Sequence, residues 1–207
     1  VDLIFMDEGQ LLIVFSDHIE SYHVESGDRV WEFQVESSSE IFAGKIIYAN
    51  HSVYFDNGEG TVARLSGRDG SILDTYKVLE GGIFTYVRNL AVSPDGKLLG
   101  FVDDMTNYGT STIYLYNTET GKEYSADIES TIVTKLVFAG NDHLFFMTDS
   151  GTLSSSTTYN NEITFIEVAT MHFYCFDPTM KLLWTKDLQY NDMAVCMGVL
   201  DLPSRDS

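Results

Sequence analysis

One pattern recurs along the whole chain: four short apolar or alternating runs, separated by turns rich in Gly, Asp, Asn and Ser. Alternation with a period of two, interrupted by such turns, is typical of β-strands, whereas a 3.6-residue period would indicate helix. The pattern predicts an all-β chain with four units at residues 3–35, 45–79, 89–128 and 133–188. A further strand of the first type is predicted at 193–200.

Each unit contains four predicted strands, which we label A to D in chain order. They cover residues 3–6, 11–16, 19–24 and 29–35; 45–49, 52–55, 61–65 and 72–79; 89–93, 97–102, 111–117 and 123–128; and 133–139, 143–148, 171–176 and 181–188. A repeat of about 40–50 residues with four strands is typical of β-propeller blades. We therefore expect a single propeller domain or fragment, with about four blades and one extra strand, as part of a larger propeller. The alternative is a four-blade ring closed by the terminal segment.

Two sets of turn residues support this register. An Asp stands near the end of every B strand, and three of the four C-to-D turns contain Gly, with Met180-Lys181 in the fourth. These residues are Asp17, Asp56, Asp103 and Asp149, and Gly27, Gly70 and Gly121. Glycine fits tight turns that need a positive φ, and Asp side chains accept backbone N–H groups in turns. We assign the Asp residues a structural role, because equivalent positions in different blades cannot converge on one ion.

Several segments resemble the WD-repeat and quinoprotein-like propellers. Ser93-Pro94-Asp95-Gly96 followed by KLLGFV is similar to the A-to-B hairpin of a WD-type blade. YHVESGDRVWEF, LYNTETGKEY and FDPTMKLLWTKDL are similar to the C-turn-D part of quinoprotein-type blades. The full WD dipeptide and the Gly-His pair are missing, and the D-strand tryptophan occurs only as Trp31 and Trp184. The resemblance implies the propeller architecture, while function transfers poorly between such distant members.

Charge restricts the classes of partner. With 12 Lys and Arg against 31 Asp and Glu, the net charge is −19, which repels nucleic acid and anionic membrane surfaces. No run reaches the roughly 18 apolar residues of a membrane span. Because residue 1 is Val and no leader-like segment is present, we expect the chain to be an excised piece, and its compartment is not indicated.

The candidates for metal binding give weak patterns. His18, His23, His51, His143 and His172 are scattered without the paired spacing of a zinc site. The oxygen-rich group Asp103, Asp104 and Asn107 has no calcium-loop pattern around it. We therefore expect no metal site.

The candidates for catalysis are equally weak. Asp17-His18 follows Ser16, but neighbours on an extended strand point to opposite faces, so we expect no proton relay there. Cys175 and Cys196 are predicted to be free thiols. The sequence thus predicts no catalytic residue, no cofactor and no enzyme activity.

Insertions between the B and C strands are the candidate functional elements. About twenty residues separate Asp149 from Met171, and their Asn160-Asn161 pair can form the turn of an extra hairpin. A solvated extension of the two strands, or a slack loop, explains the same segment. A shorter insertion, DDMTNYGTS, occupies the third unit. Tyr108 and Tyr159, one in each insertion, are the candidate partner contacts together with Asn160 and Asn161.

These features predict a non-catalytic interaction or scaffold module that presents rim loops to a protein or peptide partner. A quinoprotein-like oxidoreductase remnant is one alternative. For such an enzyme the resemblance implies adjacent cysteines, a tryptophan platform and Ca²⁺ beside the quinone. The other alternative is the outer, small-ligand-sensing domain of a membrane receptor.

Overall fold

A computed structural model describes residues 2–35, 46–58, 60–78, 87–103, 111–128, 133–149 and 170–189. These residues form four antiparallel sheets of four strands each, and within every sheet the strands pair in chain order. The predicted all-β fold with four-stranded antiparallel blades is therefore confirmed. The predicted extra strand at 193–200 lies outside the described residues.

The strands, in chain order, are β1 (Asp2–Met6), β2 (Gln10–Val14), β3 (His18–His23), β4 (Arg29–Gln34), β5 (Ile46–Ala49), β6 (Ser52–Gly58), β7 (Thr61–Ser66), β8 (Ile72–Lys77), β9 (Arg88–Val92), β10 (Leu98–Asp103), β11 (Ser111–Asn117), β12 (Glu123–Ile128), β13 (Val133–Ala139), β14 (His143–Asp149), β15 (Thr170–Phe176) and β16 (Leu182–Gln189). The predicted strand ends differ from these by at most three residues. The largest difference is at β6, which continues to Gly58.

Apolar side chains join each sheet to the next one. Apolar side chains of the first sheet pack on one face of the second sheet. Apolar side chains on the other face of the second sheet pack on the third sheet, and the third sheet packs on the fourth in the same way. Fully buried examples are Leu12 with Phe55, Tyr54 with Leu99, and Ile113 with Leu144. Because strand side chains alternate between two faces, a middle sheet can bury both faces against different neighbours. The sheets therefore stack face to face in chain order, as propeller blades do.

The first strands of neighbouring sheets lie on the inner side of this stack. Strand β9 contacts both β5 and β13, and Asn89 Nδ2 donates a hydrogen bond of 2.6 Å to the carbonyl oxygen of Val133. Since the strands of each sheet run antiparallel, the A-to-B and C-to-D turns lie at one rim. The B-to-C connections lie at the opposite rim, which we call the B–C rim.

The predicted glycine turns have the expected geometry. Gly27, Gly70 and Gly121 have φ values of 72°, 70° and 68°, and Met180 takes the same conformation with φ 59°. Positive φ is unfavourable for a residue with a Cβ atom. The Met180 side chain is buried between the third and fourth sheets, and this apolar burial offsets the backbone cost.

Within the described ranges, no helix is long and apolar enough to cross a membrane.

Candidate functional site

The B–C rim carries two short and two long connections. Strands β2 and β3 are linked by residues 15–17, and β6 and β7 by residues 59–60. In the third sheet β10 ends at Asp103 and β11 begins at Ser111, while in the fourth β14 ends at Asp149 and β15 begins at Thr170. The two long connections thus leave the same rim from neighbouring sheets. The predicted contact residues Tyr108, Tyr159, Asn160 and Asn161 lie in these connections, outside the described residues.

At the short connection of the first sheet, the side chains of Asp17 and His18 do not point to opposite faces as the sequence suggested. The Asp17 carboxylate lies 2.7 Å from His18 Nδ1, because the chain bends there and does not continue as an extended strand. The ring of His18 stacks on Phe15, and its Nε2 lies 4.0 Å from Glu20 Oε1. Carboxylates therefore lie near both ring nitrogens of His18.

The four Asp markers differ in their positions. Asp17 follows the end of β2, and its backbone carbonyl oxygen, not its carboxylate, accepts the N–H of Val35 at 3.0 Å. Asp56 lies inside β6, whereas Asp103 and Asp149 are the last residues of their strands. The recurrent Asp therefore marks the B–C rim without forming one shared site.

Three further histidines each contact a single carboxylate. His143 Nδ1 lies 2.7 Å from Asp142, His172 Nδ1 lies 2.7 Å from Asp187, and His51 Nδ1 lies 3.1 Å from Asp7. Among the described residues, no three His, Cys, Asp or Glu side chains come close enough to hold a metal ion. Asp104 and Asn107, of the weak calcium candidate, lie outside the described residues.

Cys175 is a buried free thiol in β15, and burial raises its pKa above the ordinary value. A thiol that resists ionisation is a poor nucleophile. Cys196 lies outside the described residues.

The first sheet carries a polar network on its outer strands. Arg29 donates to Glu20 at 2.9 Å and to Glu32 at 2.6 Å, and the Tyr22 hydroxyl donates to Glu20 at 2.8 Å. The hydrogen bonds from Tyr22 and Arg29 lower the pKa of Glu20, and the bond to Glu20 raises the pKa of Tyr22. The network satisfies every charged group in it, which is characteristic of a structural ion-pair cluster.

We expect acid to destabilise the protein through three carboxyl groups. Hydrogen bonds from Ser71 lower the pKa of Asp69. Hydrogen bonds from Thr179 and from the backbone N–H of Lys181 lower the pKa of Asp177. The pKa of Glu20 is lowered by the hydrogen bonds of the network described above. In each case the unfolded state binds a proton more readily. The stabilisation is therefore complete above the ordinary carboxyl pKa of about 4 and is lost as pH falls through the lower folded value.

Thermal unfolding followed by circular dichroism between pH 6 and pH 3 checks this expectation. Asp177→Asn keeps an oxygen acceptor in the turn but removes the titration, so its unfolding temperature should fall less with acid than that of the wild type. An equal fall in both proteins would contradict the assignment at Asp177.

Turns of consecutive sheets are hydrogen-bonded to one another at the rim opposite the B–C rim. Asn50 Nδ2 donates to the Asp95 carbonyl oxygen at 2.9 Å, and the Asp95 N–H donates to Asn141 Oδ1 at 3.0 Å. The Asp7–His51 pair makes the corresponding contact between the first and second sheets. These contacts join the A-to-B turns of neighbouring sheets. The sequence signal for them is weak, because Asn is a common turn residue with no long-range partner visible in the sequence.

The same substitution at Asn50 and Asn141 should lower the unfolding free energy by different amounts, because Asn50 donates its hydrogen bond and Asn141 accepts one. Asn50→Asp removes the donor and places a carboxylate beside the Asp95 carbonyl oxygen, so we expect a loss of about 1 kcal/mol in unfolding free energy. Asn141→Asp keeps the acceptor oxygen and should cost less than about 0.5 kcal/mol. Chemical denaturation in moderate salt, which screens the added charges, measures both. Equal losses would show that the turns are not bonded as described.

Trp31 connects the first two sheets near their outer edges. Trp31 Nε1 donates to the Gly67 carbonyl oxygen at 2.9 Å, and a Cβ atom added at Gly70 would lie 2.7 Å from the indole ring. Trp31 is 7 % exposed, while Trp184, in the corresponding strand of the fourth sheet, is 46 % exposed. Each tryptophan follows its positive-φ turn residue, Gly27 or Met180, by four positions.

Four face-packed, four-stranded antiparallel sheets with inner first strands define a β-propeller fold. A family model, the N-terminal β-propeller domain of prolyl oligopeptidase, matches residues 48–171, which is more than half of the chain. The chain therefore belongs to the prolyl oligopeptidase N-terminal β-propeller family. No curated protein matches it significantly.

Solved structures show the same fold at low sequence identity. The computationally designed Ika8 protein is 16 % identical with a TM-score of 0.59, and the alignment covers 89 % of this chain and 48 % of that one. Sqt1 of Saccharomyces cerevisiae is 19 % identical with a TM-score of 0.60, covering 89 % and 48 %. A chain of the mitotic checkpoint complex is 12 % identical with a TM-score of 0.59, covering 89 % and 50 %. The chain thus spans about half the length of these structures.

Proposed function

We propose that this chain is a non-catalytic β-propeller interaction or scaffold module that presents loops of the B–C rim to a protein or peptide partner. The observation that carries the proposal is the pair of long connections, 104–110 and 150–169, which leave the same rim from neighbouring sheets. Loops on a rigid scaffold commonly carry recognition, because the scaffold reduces the ordering cost of binding.

Two further observations support a protein or peptide partner. The net charge of −19 disfavours polyanions and favours a cationic or neutral partner. One similar structure is a chain of a protein assembly, the mitotic checkpoint complex. Tyr108 and Tyr159 are the first contact residues to test, because tyrosine combines apolar area with a hydrogen-bonding group.

The test replaces residues 151–169 by Asn-Gly, which should close β14 and β15 with a two-residue turn in the existing register and leave the sheet intact. Proteins captured by the wild type but not by this variant are then purified and titrated against both by calorimetry. We expect the variant to lose at least about tenfold in affinity, and Tyr159→Ala to account for much of that loss.

A variant at the opposite rim is the matched control. Glu119→Ala changes an exposed C-to-D turn and should leave both capture and affinity unchanged. If shortening the 150–169 connection and, in a second variant, the 104–110 connection alters neither the captured proteins nor the measured affinity, recognition does not take place at these loops of the B–C rim.

The oxidoreductase alternative makes different demands on the chain. The site that the quinoprotein resemblance implies needs two adjacent cysteines, whereas Cys175 and Cys196 are separated in the sequence. Mixing the protein with the quinone and Ca²⁺ should give no shift in quinone absorbance and no dye reduction; either signal would favour the enzyme. The ligand-sensing alternative stays a prediction.

A further inference from the structure

Side chains at equivalent positions form one row across each sheet, from the innermost to the outermost strand. Directly paired residues lie on the same face, so each row follows from the strand register. The rows are Ile4, Leu12, Ser21 and Trp31 in the first sheet; Ile47, Tyr54, Arg64 and Asp74 in the second; Ala91, Gly100, Leu115 and Tyr124 in the third; and Val137, Phe145, Cys175 and Trp184 in the fourth.

The following sheet covers each of the first three rows. Leu12 and Trp31 pack in the cluster shared with the second sheet, and Tyr54 packs in the cluster shared with the third. In the third row Leu115 packs against the fourth sheet, and an added Cβ at Gly100 would lie 3.0 Å from side-chain atoms of that sheet. The same interface is therefore built three times.

The fourth row lies on the face turned away from the third sheet. Leu136, Leu144 and Phe146 pack toward the third sheet, so the alternating Val137 and Phe145 lie on the other face. The rings of Phe145 and Trp184 are 5.5 Å apart, which places both on that face. We call this side of the fourth sheet, which is not packed on the third sheet and carries Val137, Phe145, the buried Cys175 and Trp184, the open face.

We propose that residues 193–200 form a strand that packs on the inner part of the open face, against Val137 and Phe145, and begins a fifth sheet of the array. The proposal continues an interface that the structure already contains three times. It concerns the inner strands only and is independent of the B–C rim loops.

Chain length and composition support this occupant. Four residues (129–132) connect the outermost strand of the third sheet, which ends at Ile128, to the innermost strand of the fourth, which begins at Val133. Three residues (190–192) separate Gln189 from position 193, a comparable span. The segment MAVCMGVL contains no charged residue. An inner strand between two sheets is apolar on both faces, as β5 is.

Hydrogen exchange followed by mass spectrometry tests the proposal on the intact protein. The amides of 193–200 should exchange at least about 100-fold more slowly than an unstructured chain. Phe145→Glu places a charge under the docked strand and should accelerate their exchange about tenfold or more. The matched control is Phe5→Glu, because Phe5 is 75 % exposed on the first sheet and should leave the exchange of 193–200 unchanged.

Peptides of β10 serve as an internal reference, since slow exchange there shows that the Phe145→Glu variant still folds. If the Phe145→Glu variant does not fold, Val137→Ala is the milder substitution and should accelerate the exchange of the 193–200 amides about threefold. Three results would overturn the proposal: free exchange of 193–200 in the wild type, protection that Phe145→Glu and Val137→Ala leave unchanged, or protection that appears only with a concentration-dependent doubling of mass. The last result would assign the open face to a second copy of the chain.

Discussion

Replacing Trp31 by Ala should lower the free energy of unfolding by about 3–5 kcal/mol, the range found for large buried aromatic side chains. Trp31 is 7 % exposed and donates to the Gly67 carbonyl oxygen, so the variant creates a cavity between two sheets and leaves a buried acceptor without its donor. Urea denaturation followed by circular dichroism measures the loss.

Trp184→Ala is the matched control for Trp31→Ala, because it removes the same side chain from the corresponding strand of another sheet. Because Trp184 is 46 % exposed, its replacement by Ala should lower the free energy of unfolding by less than about 1.5 kcal/mol. If the two variants lose similar stability, the interface between the first two sheets does not depend on the Trp31 contact.

Replacing Gly70 by Ala should lower the free energy of unfolding by about 2–4 kcal/mol, for two reasons. A residue with a Cβ atom pays about 1–2 kcal/mol for the positive φ, which is 70° here. The new Cβ would also lie 2.7 Å from the Trp31 ring, so the indole or the turn must move.

Gly27→Ala separates these two effects. Gly27 occupies the equivalent turn with φ 72°, but nothing lies within 4 Å of an added Cβ, so only the backbone cost of about 1–2 kcal/mol applies. In a Trp31→Ala background the cost of Gly70→Ala should fall to the Gly27 value, because the clash is gone. Additive losses in the double variant would mean that Gly70 and Trp31 do not interact.

Turn chemistry made the architecture predictable from the sequence. Gly27, Gly70 and Gly121 divide the chain into repeating hairpins, and turns that need positive φ accept few other residues. Met180 shows the limit of this reasoning, since a side chain buried between sheets allows a residue with a Cβ atom to take the glycine position.

Contacts between units could not be predicted in the same way. Trp31 and Gly70, or Asn50 and Asp95, come together only through the packing angle of neighbouring sheets, which the spacing of strands does not encode. At Asp17-His18 the assumption of an extended chain was wrong, because a bend brings the two side chains together. The proposed contact residues Tyr108 and Tyr159 stay a prediction.

Each sheet in the described part of the chain consists of four strands that follow one another in the sequence, so none of these sheets takes a strand from a distant segment. During synthesis the second, third and fourth strands of each sheet therefore find their partner in the strand that left the ribosome immediately before them. Apart from the 150–169 connection of the fourth sheet, the loops within the sheets are two to seven residues long, which keeps the entropic barrier to pairing small. Nascent chains should thus acquire their sheets one after another, with few unpaired strand edges exposed to aggregation at any time.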